Sequence, residues 1–384
     1  MGLVGKPSSG KSTFFSAATM ASVPISPVPF TTIEPNIGTA YVRVEDIGKE
    51  FGVVSNPREG YIAGGIRFVP FELMDVAGLI PGASEGKGLG NQFLNDLGRA
   101  DLLIHIVDIS GSTNELGEYI GSGHDPQEDI IFLEDEINKW YGNVIERNLD
   151  KMIRSVKAGK KEEEAVAEAL SSFRIDKYLA KETVERFGGL NSWKERVNEV
   201  GTFLRQRTKP IIIAANKIDL EEGGNNFEKI KGRYFAVPCS AEAELVLRKA
   251  SKAGLIHYIP GENKFEVVGA LNPQQEKALE YVNERVLKRF GSTGVQDTLD
   301  KAVFEFLKYI AVFPAGSKLE DSKGRILPDC FLMPPGSTLV DFANKIHSDF
   351  AKNLLFGVDA RTKQRLAKDY KLRHRDAIEI VSAA

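Results

Sequence analysis

A glycine-rich motif at the start of the chain limits the folds open to it more than any other feature. Residues 5–12 read Gly-Lys-Pro-Ser-Ser-Gly-Lys-Ser. A backbone that folds tightly around phosphate oxygens needs glycine at Gly5 and Gly10, because a side chain there would block the N–H groups. Lys11 then reaches the β and γ phosphates, and Ser12 offers a hydroxyl to Mg²⁺. The motif therefore predicts a phosphate-binding loop between a strand and a helix.

We expect the whole loop and the first helical turn to line the phosphate site. The set comprises Gly5, Pro7, Ser8, Ser9, Gly10, Lys11, Ser12 and Thr13. The alternative is a glycine-rich surface turn before an amphipathic helix, and other motifs must decide between the two. Only residues 1–4 precede the loop, whereas strands usually run about 5 or 6 residues. We therefore expect the natural chain to begin a few residues earlier.

Length and composition exclude several classes of protein. The chain has 384 residues, of which 42% are hydrophobic, enough for two or three domains with large cores. A net charge of −3 gives no overall attraction to nucleic acid, so any RNA contact must come from a local patch. Cys239 and Cys330 lack the spacing of a zinc site or a disulfide framework. We find neither a membrane-spanning run nor a signal peptide, and predict a cytoplasmic protein without membrane contact.

Four short apolar runs each end in a polar residue of chemical interest. The runs end at Asp75, Asp108, Asn216 and Ser240. Buried strands of a parallel sheet show this pattern when the site lies at their carboxyl edge. Helical patterns separate most of the runs, which predicts the α/β class with an open, mostly parallel sheet and right-handed crossovers.

The segment between Asp108 and Ile211 is far longer than one crossover helix needs, which predicts an inserted helical domain. Its first helix has Asp125 as the expected N-cap and Pro126 in the first turn. Near the end of the chain, short apolar runs surround a helix that we expect Ser337 to cap. We predict that this last part, of about 75 residues, forms a compact β-rich unit.

The sequence Asp75-Val-Ala-Gly78 follows a predicted strand. Asp75 in that place can share one Mg²⁺ with Ser12, and the Gly78 N–H can meet the γ-phosphate. Thr32 lies between the first helix and the next strand, where a loop that senses the γ-phosphate closes over the metal; an ordinary turn hydroxyl is the alternative. We expect Lys11, Thr32 and Gly78 to act in hydrolysis, and Ser12, Thr32 and Asp75 to hold the metal.

The tetrapeptide Asn216-Lys217-Ile218-Asp219 follows another strand. Asp219 can accept both N1–H and the exocyclic amine of guanine, while Lys217 covers the ring and Asn216 ties loops together. Adenine lacks these donors, so ATP would leave a buried Asp219 carboxylate badly paired. Ser240 and Ala241 follow the next strand and fit a backbone contact to the guanine oxygen. The predicted ligands are therefore GTP and GDP with Mg²⁺.

These motifs resemble those of the Obg superfamily of GTPases, over residues 5–12, 29–38 and 75–93. The helical insertion before Asn216 and the C-terminal unit resemble the YchF-like branch, whose members end in a TGS domain of β-grasp type. The resemblance implies a ribosome-associated nucleotide switch with a P-loop NTPase G domain. Its implied boundaries are 1–112 and 206–306 for the G domain, 113–205 for the inserted α-helical domain and 307–384 for the TGS domain.

Two residues depart from the family pattern. YchF-like proteins usually carry glutamate where this chain has Asp219, and they favour ATP, so the chain resembles a sister subgroup that retains guanine recognition. Many Obg relatives carry asparagine where this chain has Ser8. Because that asparagine is linked to potassium-assisted hydrolysis in such proteins, we do not expect potassium activation here.

Hydrolysis is expected to be slow. Leu79 stands just after the Asp-x-x-Gly motif, where many small GTPases orient the attacking water with glutamine, and leucine forms no such hydrogen bond. A partner can supply the missing group. Arg58, Glu85 and Lys87 are candidate substitutes within the chain, although each fits a solvated loop charge better. His105 sits in an apolar run and fits a core histidine better than a general base.

The C-terminal unit contains a basic cluster within fifteen residues: Arg361, Lys363, Arg365, Lys368, Lys371, Arg373 and Arg375. Such a cluster can neutralise RNA phosphates, and it equally fits the charged surface of a soluble domain. The family resemblance favours ribosomal RNA, bound through the TGS domain and the helical insertion. Two alternatives stay open: a nucleotide-gated binding module with negligible turnover, which Leu79 favours, and a YchF-like ATPase, which Asp219 opposes.

Overall fold

The computed structural model describes residues 1–20, 36–76, 97–316, 318–321 and 323–383. Five residues discussed above, Thr32, Gly78, Leu79, Glu85 and Lys87, lie outside the described residues. The chain divides into two compact units. The first comprises Met1–Gly38, Leu73–Tyr258 and Glu266–Thr298, and the second comprises Thr39–Glu72, Ile259–Phe265 and Leu299–Ala384.

A largely parallel sheet carries the carboxyl edge that the sequence predicted. Its strands are β1 (Gly2–Val4), β2 (Asn36–Glu45), β3 (Tyr61–Ala63), β4 (Ile66–Asp75), β5 (Leu103–Asp108), β6 (Ile211–Asn216) and β7 (Ala236–Pro238), in the order β2-β4-β1-β5-β6-β7, with β3 antiparallel to β4. The strands β4, β1, β5, β6 and β7 pair in parallel. Leu3 lies opposite Asp75, and Asp108 lies opposite Asn216. The ends of these strands therefore meet at one edge.

Helix α1 (Lys11–Thr19) follows the phosphate loop and buries Phe14 and Phe15. The predicted insertion begins with α2 (Pro126–Lys157), and the Asp125 side chain caps it by accepting from the Gln127 N–H, as predicted. Three further helices follow, α3 (Glu162–Ala169), α4 (Lys177–Phe187) and α5 (Val197–Thr208). Their core includes a stack of Tyr141 on Phe173, with ring centroids 3.9 Å apart.

The chain between β7 and the C-terminal domain consists mostly of helices. They are α6 (Gly223–Ile230), α7 (Ala241–Lys252), α8 (Pro273–Val282) and α9 (Val295–Lys301), with a short β8–β9 pair (Ile256–His257 and Glu266–Val267) between α7 and α8. A π-helical segment, Asn283–Leu287, continues α8. Among the described residues, no helix is long and apolar enough to cross a membrane.

The second unit contains the C-terminal β-grasp domain. Its elements are β10 (Ile310–Pro314), β11 (Phe331–Met333), α10 (Leu339–Ile346), α11 (Ser348–Lys352), β12 (Leu354–Asp359), β13 (Arg365–Leu366) and β14 (Asp376–Ser382). The sheet order is β11-β10-β14-β12-β13, and β10 and β14 are parallel. Leu339 and Phe342 of α10 are fully buried in the core.

One local prediction in this domain was wrong. Thr338, and not Ser337, caps α10, since its hydroxyl accepts from the Asp341 N–H while Asp341 bonds back to the Thr338 N–H. The Ser337 hydroxyl is instead engaged with the Pro334 carbonyl, 2.8 Å away. The capping box is the stronger arrangement because it satisfies two backbone donors at once. The observed elements confirm the predicted α/β class, with a mostly parallel sheet, a helical segment inserted between β5 and β6, and a smaller β-rich domain at the C-terminal end.

Candidate nucleotide-binding site

The phosphate loop requires glycine at the two positions that the motif assigns to it. A Cβ on Gly5 would lie 2.5 Å from the Ile106 carbonyl oxygen. Gly10 has φ of +94° and faces the Asn216 side chain, where a Cβ would lie 2.2 Å from the Asn216 Nδ2. Neither position has room for a side chain, so the loop folds tightly between β1 and α1.

The N-terminus of α1 is suited to an anion. Gly10 is its N-cap, and in the described part of the chain no side chain caps it and no acidic residue lies in its first turn. Lys11, Ser12 and Thr13 therefore present first-turn N–H groups that α1 itself does not satisfy. Together with the positive end of the helix dipole, these donors fit a phosphate group.

Asp75 lies beside both residues of the loop that were predicted to meet phosphate and metal. The Lys11 Nζ is 2.5 Å from one carboxylate oxygen of Asp75, and the Ser12 Oγ is 3.4 Å from the other. Asp75 is only 1% exposed, so the Lys11 ammonium compensates a buried charge. Carboxylate and hydroxyl oxygens are the ligand type that Mg²⁺ prefers. The donor set therefore fits the predicted metal.

Asn216 connects the phosphate loop to the segment after β7. Its Nδ2 donates to the Ser9 carbonyl at 2.8 Å, and its Oδ1 accepts from the Ala241 N–H at 3.0 Å. Asn216 is buried, and so both bonds are shielded from water. The structure thus brings together three motifs that are far apart in the sequence.

The Ser240 hydroxyl caps α7 by accepting from the Ala243 N–H.

The buried carboxylate of Asp108 holds Lys217, a contact that sequence reasoning missed. The Lys217 Nζ donates to Asp108 at 2.7 Å, and hydroxyls from Ser110, Ser112 and Thr113 donate to the same carboxylate. Burial alone raises the pKa of Asp108, but hydrogen bonds from Lys217 and Ser110 outweigh it, so that the pKa lies below its ordinary value. The run of hydroxyl residues directly after β5 was the available signal.

The residue predicted to read the base, Asp219, lies in the turn after β6 and is half-buried rather than buried. Its carboxylate accepts from the Tyr281 hydroxyl at 3.1 Å. The turn is fixed on both sides, because the Ile218 N–H donates to the Cys239 carbonyl and the Leu220 N–H donates to the Lys217 carbonyl.

Two residues that the sequence offered as possible catalytic groups, Arg58 and His105, make structural contacts or lie in the core. Arg58 donates two hydrogen bonds to Asp329 within the second unit, at 3.0 and 2.7 Å. His105 lies in β5 and is 2% exposed, and burial lowers its pKa to about 3, with Lys6 adding to the effect. A histidine that stays neutral in the core matches the interpretation that the sequence favoured.

This edge of the sheet is that of a G domain, the class of P-loop fold that binds guanine nucleotides. Three family models match the chain. A 50S ribosome-binding GTPase model matches residues 1–140, an "Obg-like GTPase YGR210-like, G4 motif-containing domain" model matches residues 214–316, and a TGS domain model matches residues 309–382.

Relatives match over all or nearly all of the chain. An uncharacterized GTP-binding protein of Methanocaldococcus jannaschii is 41% identical over 100% of this chain and 99% of its own length. A GTP-binding protein of Pyrococcus horikoshii with a crystal structure is 36% identical over 100% of this chain and 99% of that chain, with a TM-score of 0.78. The ribosome-binding ATPase YchF of Bacillus subtilis is 28% identical over 92% of this chain and 86% of its own length. The chain belongs to the Obg-like family of GTP-binding proteins, which confirms the predicted resemblance.

Proposed function

We propose that this GTP-binding protein is a nucleotide-controlled switch that hydrolyses GTP slowly with Mg²⁺ and associates with ribosomes. The observation that carries the proposal is the position of Asp75 beside both Lys11 and Ser12. When a nucleoside triphosphate binds, Lys11 exchanges its ion pair with Asp75 for the β and γ phosphates. Asp75 would then be free to hold Mg²⁺ together with Ser12. The bound Mg²⁺ would neutralise charge on the phosphates.

This exchange gives the site two states. In one, Lys11 compensates Asp75; in the other, both residues serve the nucleotide and its metal. Thr32, between α1 and β2 in the sequence, and Gly78, after β4, are the residues we propose to report the γ-phosphate. Leu79 offers no hydrogen bond to an attacking water, so the proposed hydrolysis is slow until a partner completes the site.

The ribosomal part of the proposal rests on the ribosome binding named for the matched family and for the YchF relative, and on the surface of the TGS domain. Arg361 and Arg375 of the basic cluster both pair with Glu50 inside the second unit. Lys363, Arg365 and Lys368 are exposed, and none of the three pairs with an acidic side chain in the part of the chain that the structure describes. We therefore propose that the RNA contact involves these three unpaired cations rather than the whole cluster.

Co-sedimentation with ribosomes tests this proposal. The protein carrying a non-hydrolysable GTP analogue should pellet with ribosomes more than the GDP form, and Arg365→Glu plus Lys368→Glu should reduce both pelleting and its salt dependence. The matched control is Lys229→Glu plus Lys231→Glu at the C-terminal end of α6, which changes the net charge equally and should pellet normally. Equal pelleting of all forms in both nucleotides would refute the proposal.

An ATPase is the second candidate, because the Bacillus subtilis relative is named as one. Asp219 opposes it, since the adenine ring offers no N1–H or 2-amino donor to a carboxylate. Competition between GTP and ATP for the wild-type protein separates the two candidates. GTP should bind tighter by about 100-fold or more, whereas equal affinities would favour the ATPase.

A further inference from the structure

A tyrosine outside the four nucleotide motifs contacts the residue that reads the base. Tyr281 lies in the last turn of α8, and its hydroxyl is 3.1 Å from the Asp219 Oδ2 and 3.5 Å from the Asp219 carbonyl oxygen. We propose that Tyr281 is a positioning residue for guanine recognition, which holds the Asp219 carboxylate in the plane that pairs with the base. The inference rests on guanine binding at Asp219 and not on the proposed ribosomal role.

The hydrogen-bonding capacity of a carboxylate allows this arrangement. An ionised aspartate accepts at about four lone-pair sites, and guanine uses one on each oxygen for its N1–H and its amine. The Tyr281 hydroxyl uses one more. Because it also approaches the Asp219 carbonyl oxygen, it lies on the main-chain side of the aspartate. A donor on that side orients the carboxylate and leaves acceptor sites for the base.

Both partners of this contact are attached to fixed structure. Leu279 and Val282 of α8 are 4% and 3% exposed, and a capping box between Asn272 and Gln275 begins the helix. Asp219 sits in the turn that the Ile218 and Leu220 N–H groups fix. A hydrogen bond between two anchored groups costs little entropy on binding, which is the condition for preorganised recognition.

The hydroxyl of Tyr281 stays a donor at neutral pH. Burial and the neighbouring Asp219 carboxylate raise its pKa above the ordinary value of 10. The tyrosine is nevertheless 44% exposed, so the fold does not depend on its hydroxyl. Replacing it with phenylalanine removes the donor and keeps the ring.

Equilibrium binding of GDP, IDP and ADP to Tyr281→Phe tests the inference. Removing the donor should raise the Kd for GDP about 3- to 10-fold and leave the Kd for ADP unchanged. The affinity for IDP should fall less than the affinity for GDP. The hypoxanthine base of IDP lacks the 2-amino group and therefore needs only one carboxylate oxygen of Asp219. Tyr178→Phe is the matched control, since Tyr178 lies in α4 of the insertion and is 80% exposed. This variant should bind GDP, IDP and ADP as the wild type does.

A double variant separates positioning from a general structural effect. If Tyr281 acts through Asp219, then Tyr281→Phe added to Asp219→Ala should not change the GDP affinity further. Unchanged GDP binding in the single variant, an equal loss for ADP, or additive losses in the double variant would overturn the inference. A wild-type protein that binds GDP no tighter than ADP would instead refute guanine recognition itself, so the two failures are distinguishable.

Discussion

The Lys6 ammonium in the phosphate loop lies 2.8 Å from the Asp129 carboxylate in the first turn of α2. Both side chains are less than 10% exposed. Lys6 also donates to the Thr113 carbonyl at 2.9 Å, and the His124 Nε2 lies 2.8 Å from the other oxygen of Asp129. The loop that we expect to bind phosphate is therefore bonded directly to the helical insertion. A change in the loop on nucleotide binding therefore has a physical route to the helical insertion.

Asp129→Asn should destabilise the protein by about 3 kcal/mol, because removing one partner leaves the Lys6 charge buried and uncompensated. GTP affinity should fall as well, since Lys6 belongs to the phosphate loop. Thermal unfolding and nucleotide titration measure the two effects. Asp135→Asn, an exposed change on the same helix, should leave both as in the wild type. A wild-type melting temperature for Asp129→Asn would contradict the importance of this ion pair.

Asp75→Asn should remove most of the dependence of GTP binding on Mg²⁺. In the wild type, we expect Mg²⁺ to tighten GTP binding by at least about tenfold, which corresponds to about 1.4 kcal/mol. The variant lacks the carboxylate that would hold Mg²⁺ together with Ser12. Titrations with Mg²⁺ and with a chelator measure the ratio, and GDP binding in the chelator serves as the internal control. A variant whose Mg²⁺ ratio equals that of the wild type would remove Asp75 from the metal site.

Asn216→Ala should cost about 2 to 4 kcal/mol of stability, because it leaves the Ser9 carbonyl and the Ala241 N–H without their buried partner. The free energy of unfolding in urea measures this loss. GTP affinity should fall in parallel, since the phosphate loop loses its tie to the base-binding segments. Asn225→Ala removes an exposed hydrogen bond to Glu222 and should change neither quantity. If the two variants behave alike, Asn216 does not organise the site.

The buried His105 should make the protein less stable in mild acid. Burial lowers its pKa from 6.5 to about 3, so between these values the unfolded chain takes up a proton that the folded chain does not. Stability therefore falls as the pH drops below 6.5, by about 2 kcal/mol at pH 5 from this group. Denaturant unfolding at pH 7 and pH 5 measures the difference. His105→Leu should lose this part of the fall, while the exposed His257→Leu should keep it.

Short-range patterns predicted much of the fold. The Asp125 cap of α2 and the position of Asp75 after a strand follow from neighbouring residues, which the sequence shows directly. The contacts that complete the site join distant residues: Lys217 and Asp108 are 109 positions apart, and Tyr281 and Asp219 are 62 apart. Only the folded sheet and helices bring such pairs together. The hydroxyl run after β5 marks Asp108 as a candidate, but it does not show that Lys217 is its partner.

The cap of α10 shows a different limit. Ser337 and Thr338 are adjacent, and either hydroxyl suits a helix N-terminus. The choice depends on Asp341, which completes the capping box with Thr338, and on the Pro334 carbonyl that engages Ser337. The sequence predicted the helix correctly, but it placed the N-cap one residue too early, at Ser337 instead of Thr338.

The most direct test of the proposed switch is single-turnover hydrolysis of GTP with Mg²⁺, measured with and without ribosomes. We predict slow hydrolysis by the protein alone, because Leu79 cannot orient water, and a clear acceleration when ribosomes are added. The Arg365→Glu plus Lys368→Glu variant should hydrolyse GTP normally alone and lose the acceleration. Fast hydrolysis without ribosomes, or a rate that ribosomes leave unchanged, would contradict the proposal.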